Sequence, residues 1–180
     1  MINNTSYNSS LKPTSKIRGF TLVETLVAVA ILMIAIAGPL TIANQALTAA
    51  LNSRNSMIGT YLAQDGMESL LSIKDNHVKS NDWKSYIGTG CTESYPCQTP
   101  IWNGSSFTVI QCTSACQLYK DSNDLYTYDG SGTLSPFKRY YYLSTYDSGN
   151  EYVATVVVSW TDGTIPNEIR LQDLLTGNAK

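Results

Sequence analysis

The chain is poor in the side chains that enzymes use for proton and group transfer. Among its 180 residues there is one histidine, His77, so no imidazole pair can ligate a metal or relay a proton, and His77 itself reads as a surface residue. There is no G-x-S-x-G elbow, no phosphate loop of the G-x-x-x-x-G-K-[ST] type and no H-E-x-x-H helix. No carboxylate pair stands apart from the surface acids. These absences argue against an enzyme. Lys and Arg number 12 against 14 Asp and Glu. Without a basic stripe, no nucleic-acid partner is evident. Charge is missing altogether between Glu24 and Arg54.

The first nineteen residues lack an apolar core. A secretory signal peptide carries its apolar stretch before the cut. Here that stretch follows Gly19. Ahead of the glycine stand Lys12, Lys16 and Arg18 and no acid, so this flank stays on the cytoplasmic side and the rest crosses. A cut after Gly19 would leave 9 basic and 14 acidic side chains, a net charge of −5. From Phe20 to Ile36 every residue is apolar except Thr21, Glu24 and Thr25. A carboxylate at the mouth of a membrane-length helix is costly without a partner, and Glu24 therefore asks for one.

Gly19-Phe20-Thr21-Leu22-Val23-Glu24 resembles the cleavage and methylation signature of type IV pilins and the related pseudopilins. The resemblance is specific over residues 16–42 and looser along the helix to about Ile73. It implies processing by a prepilin peptidase, which cuts between Gly19 and Phe20 and methylates the new N-terminal Phe20. It also implies that Glu24 guides assembly by pairing with the amine of Phe20 on a neighbouring subunit. The implied partners are other pilin subunits, the prepilin peptidase/N-methyltransferase, a pilus or secretion assembly platform, and the membrane.

The apolar pattern predicts one helix from Phe20 to about Ile73, roughly 80 Å long at 1.5 Å per residue. About 20 residues suffice to span a bilayer, so residues 20–42 form a transmembrane and assembly half and residues 43–76 an amphipathic half. Gly38-Pro39 interrupts the first half. Proline removes an amide donor and crowds the preceding turn, so this pair is a candidate hinge. In the second half Leu47, Leu51, Ile58, Leu62 and Leu70, extended by Met67 and Leu71, form an apolar stripe to lay on a sheet. Met57 and Met67 read as packing residues. Gly66 marks either a close approach or fraying.

Residues 77–180 read as an extracytoplasmic domain. His77 to Pro100 is loop with a short element at Trp83–Ile87. Cys91, Cys97, Cys112 and Cys116 form an even set outside the membrane, which favours two disulfides over a zinc site lacking C-x2-C pairs. Three connectivities are open, and local pairing, Cys91 with Cys97 and Cys112 with Cys116, is the preferred one. Strands are expected at Ser106–Gln111, Phe137–Ser144, Tyr152–Trp160 and Asn167–Leu174, with a turn at Thr161–Thr164. The tail of the third, Val156 to Trp160, resembles a strand of minor pilins and pseudopilins. The fold expected is α+β, a long N-terminal helix packed on a small antiparallel sheet.

Asp121, Asn123, Asp124 and Asp129 put oxygen ligands near glycine-rich turns, so calcium is a candidate cofactor. No glutamate closes an EF-hand pattern, and an ordinary Asx-rich turn over Tyr126 and Tyr128 is the alternative. Otherwise no cofactor is expected. The leading expectation is a subunit, in particular a minor one, of a type IV pilus or pilus-like filament. It would insert in the cytoplasmic membrane as a single span and then join a surface or periplasm-spanning filament. The alternatives are a pseudopilin of a type II secretion or competence system, and a membrane-anchored adhesin or binding module that never polymerises.

Overall fold

The computed structural model describes residues 19–77, 82–100, 108–112, 116–147 and 151–177. The basic leader before Gly19 lies outside the described residues. Helix α1 runs from Leu22 to His77. It forms because alanine and leucine dominate it and little competes for its backbone. Lys74 and His77 in its last turn complement the negative end of the helix dipole. Helix α2, Trp83–Ile87, is a single short turn. The strands are β1 (Gln117–Lys120), β2 (Tyr126–Thr127), β3 (Thr133–Asp147), β4 (Glu151–Asp162) and β5 (Ile165–Thr176).

The chain divides into two compact units, Met1–Leu47 and Thr48–Lys180. In the first, every described residue is exposed. The helix passes Gly38 and Pro39 without a break. Pro39 has no amide proton to give, and two residues on the Thr41 hydroxyl bonds back to the Ala37 carbonyl at 3.0 Å.

The second unit is α+β, with residues 48–77 of α1 packed on an antiparallel sheet of order β2-β1-β3-β4-β5. Strands β3, β4 and β5 form a meander, with Tyr141 opposite Val156 and Val156 opposite Leu171. Alternation places Phe137, Arg139, Tyr141 and Leu143 of β3 with Ala154, Val156, Val158 and Trp160 of β4 on the helix side. Phe137 and Trp160 pack with ring centroids 5.7 Å apart. The far face of β4 is closed too: Thr155 and Val157 are buried there, with Tyr142 and Tyr140 opposite them on β3 and Gln172 and Arg170 on β5. The Arg170 Nη1 donates to the Tyr142 hydroxyl at 3.2 Å.

The stripe that α1 buries is Gly59, Leu62, Ala63, Gly66, Met67, Leu70 and Ile73, flanked by Ile58 and Leu71. Leu47, Leu51 and Met57, expected to pack, are exposed instead. Leu47 and Leu51 lie before the first contact with the sheet, at Asn55, whose Nδ2 donates to Asp162 Oδ1 at 2.6 Å. Met57, two residues before Gly59, sits about 200° round the helix from it and so points away from the sheet. Close approach explains the two glycines. A methyl at Gly59 would lie 2.7 Å from the Trp160 ring, and one at Gly66 would lie 2.9 Å from the Thr99 methyl and 3.0 Å from Val156.

The sheet also departs from expectation at its start. Of Ser106–Gln111 the described part is no strand. Gln111 makes one isolated bridge to Cys97, while residues 106 and 107 lie outside the described residues. The strand beside β3 is Gln117–Lys120, four residues with only Leu118 fully buried, too short and too polar to read as periodic. β3 and β5 extend beyond the expected bounds because hairpin partners extend each other's ladder.

Candidate processing and assembly site

The N-terminal site is built by the first turn of α1. The Thr21 hydroxyl accepts a hydrogen bond from the Glu24 amide at 3.3 Å. The Thr25 amide donates to the Thr21 carbonyl at 3.2 Å, opening the helix ladder. Thr21 is thus the N-cap and Glu24 the third helical residue, the spacing of a capping box of which only the Thr21 half is made. Sequence reasoning had not assigned Thr21 a role; the Thr-x-x-Glu spacing ahead of an apolar run was the available signal. The capped turn sets Glu24 one turn from Phe20, at the positive end of the helix dipole, where a carboxylate is favoured. Both residues are exposed, and among the described residues the Glu24 carboxylate has no partner.

Behind this turn lies a helix long and apolar enough to cross a membrane, with none of its apolar window buried in the single chain. Val23, Leu26, Val27, Ile31, Ile34 and Leu40 all face outward on different sides. A surface of that kind requires lipid or other helices around it.

The other candidate residues sit in the second unit. Cys91 is bonded to Cys97 and Cys112 to Cys116, with no free cysteine. The first pair is fully buried in the core, and the described pairing is local. Cys97 also pairs with Tyr141 on β3 through backbone bonds of 2.9 and 2.8 Å, so this cystine pins the loop to the sheet. His77 stacks on Tyr86 at 3.9 Å and faces Asp82.

The acidic loop residues are engaged in turns. Asp121 Oδ1 accepts from the amides of Asn123 and Leu125 at 2.8 and 2.9 Å. Asp124 pairs with Lys120 at 3.2 Å. Asp129 accepts from the Ser131 amide and hydroxyl, bonds that hold its carboxyl below the usual range. Among the described residues, no group of three or more His, Cys, Asp or Glu could hold a metal ion.

A further cluster was not legible in the sequence. Arg139 lies on the helix side of β3 with its side chain almost wholly buried. It donates to the Leu62 carbonyl at 3.1 Å, to the Tyr128 hydroxyl at 3.3 Å and to the Asp65 carboxylate. Tyr128 in turn donates to the Arg139 carbonyl at 2.8 Å and accepts from the Thr99 amide at 3.1 Å. Burial pulls the guanidinium pKa down, but Tyr128 and Asp65 more than offset it, and the net direction is up. A buried cation satisfied by a helix carbonyl, a phenol and a carboxylate locks α1 to the sheet in one register.

Comparison with curated proteins and with solved structures returned no match. Residues 14–38 match the family model of the prokaryotic N-terminal methylation motif, the type IV prepilin signature. Carried on a pilin-like α+β fold with an apolar N-terminal helix, that signature marks a membrane-anchored protein similar to type IV pilins and pseudopilins.

Proposed function

We propose that the chain is a minor subunit of a type IV pilus or a closely related filament. It is processed after Gly19, methylated on Phe20 and assembled through α1. One observation carries the reading: an unpartnered Glu24 stands one turn from the cleavage point, at the head of a helix that is apolar and exposed all round. In lipid the span is satisfied but the carboxylate is not. In a bundle of like helices, the cationic amine of a neighbour's Phe20 can meet it. At low dielectric such a pair is worth several times its value in water, so a single acid can select register. The rank of minor subunit rests on the cystine-stapled, tyrosine-rich domain. The N-terminus lies on the cytoplasmic side before processing, and residues from about 43 onward lie outside.

Mass analysis of the mature chain tests the processing step. The expected product begins at a methylated Phe20, and a chain that keeps Met1 defeats the reading. Cysteines placed singly in residues 26–36 test assembly. A filament gives ladders of cross-linked product on oxidation, whereas a lone anchored adhesin gives none.

A further inference from the structure

Beyond the apolar span, α1 carries a second stripe beside the buried one, touching the sheet only at its edge through Ile58 and Asp65. Leu51, Arg54, Ile58, Tyr61, Asp65 and Glu68 recur every three or four residues and so line one side of the helix. Leu51 and Tyr61 are exposed large apolar residues there. Along the lower part of the stripe runs an open groove of about 990 Å³, with Leu125 and Tyr126 on its other wall.

Charge on this stripe is sparse and ordered. Arg54 is the first charge after Glu24, and Asp65 and Glu68 come next. Among the described residues Arg54 and Glu68 have no partner. Asp65 holds Arg139, yet its side chain is 67% exposed and keeps a lone-pair face toward solvent. An arginine and two carboxylates on one stripe, too far apart to meet within the same helix, are complementary between helices.

We infer that two copies of this chain dock through this stripe, with Arg54 of one set against Asp65 and Glu68 of the next in a parallel, staggered contact. The inference rests on the filament reading above. Copies that insert in a membrane the same way have parallel helices, so a contact between them joins unlike positions. Asp65 lies eleven residues beyond Arg54, which is about three turns and an axial offset of roughly 16 Å. At that offset Tyr61 of one copy comes level with Ser72 of the other, both residues lining the groove. A contact with an axial offset cannot close into a ring; repeated, it generates an open helical array.

The test uses the full chain in cells carrying its assembly machinery. Arg54→Glu, which sets three acids together, is expected to lower the chain recovered in sheared filaments by about tenfold or more. Its amount in the membrane and the methylation of Phe20 should not change, because Arg54 bonds nothing within the described chain. Adding Glu68→Arg to Arg54→Glu should restore most of the loss. Two tagged forms of the chain, one Arg54→Cys and one Glu68→Cys, should oxidise to a linked pair. If Arg54→Glu assembles normally and no linked pair forms while the unaltered chain still assembles, the contact is wrong and the filament reading stands. If the unaltered chain keeps Met1 and never enters a filament, the filament reading falls and takes the contact with it.

Discussion

The two halves of α1 have the same secondary structure and opposite surroundings. From Leu22 to Leu47 the helix is exposed at every position, although most of its side chains are apolar. From Gly59 to Ile73 it buries a narrow stripe of seven residues, two of them glycine and one alanine. The first half, exposed at every described position, is suited to many similar neighbours. The second half fits one neighbour, the sheet, through contacts that tolerate no added methyl at Gly59 or Gly66. A helix that must move from lipid into a bundle is best left generic. A helix that must carry a domain in a fixed orientation needs a specific seat.

The sharpest way to break that comparison is at the one specific residue of the generic half. Glu24→Ala is expected to leave membrane insertion intact and to cut incorporation into filaments by about tenfold or more, through loss of a low-dielectric ion pair. Quantifying the chain in membrane and sheared fractions checks it, and normal incorporation would remove Glu24 from the mechanism. In the specific half, Gly66→Leu should cost about 3 kcal/mol by overpacking against Thr99 and Val156. Denaturant unfolding of the detergent-solubilised chain, followed by the fluorescence of the buried Trp83 and Trp160, measures this.

The Arg139 lock should be asymmetric. Asp65→Ala strands a buried guanidinium and is expected to cost about 2 kcal/mol, kept below the range for fully buried pairs because Asp65 is largely exposed. Arg139→Met removes the buried charge together with its needs and should cost less. Equal costs would mean that the pair does not set the register. The cystines sharpen the contrast within the loops. Removing Cys91–Cys97, buried in the core, should cost about 2 kcal/mol or more. Removing Cys112–Cys116, which is only half-buried, should cost less on the same unfolding assay.

The smallest effect is at Asp129. Its folded pKa is depressed by the Ser131 bonds, so the turn is fully supported above the unfolded value of 3.8 and loses that support as pH falls through the folded value. Faster amide exchange at Ser131 in acid, without a shift in global unfolding, is the expected sign.

What was legible before the fold was seen depended on range. The Phe20–Ile36 run, the basic flank and the Gly-Phe-Thr-Leu-Val-Glu string carry their meaning within a few residues. So does β4, where Val156, Val157 and Val158 favour an extended chain whatever packs on them. The Gln117–Lys120 strand was invisible because its four residues become a strand only by pairing with Leu134 and Lys138. Leu51 was misplaced because periodicity tells which side a residue is on, not where along the helix the partner begins, and Met57 because it lies on the side opposite the buried stripe. Arg139 was missed although it alternates in phase with Phe137 and Tyr141, because a cation on an apolar face is credible only once its partners Asp65 and Tyr128 are brought to it by the fold.

By itself, then, the sequence determined the processing address, the span and the lone acid at its head, since cleavage signals and bilayer insertion read a contiguous string. Tertiary structure alone decided where α1 stops being generic, which glycines are seats rather than defects, and that a buried arginine fixes the helix on the sheet. Those features depend on residues far apart in the chain meeting, as Leu62 and Arg139 do across 77 positions, and such meetings come from the energy of the whole packed core rather than from any local pattern.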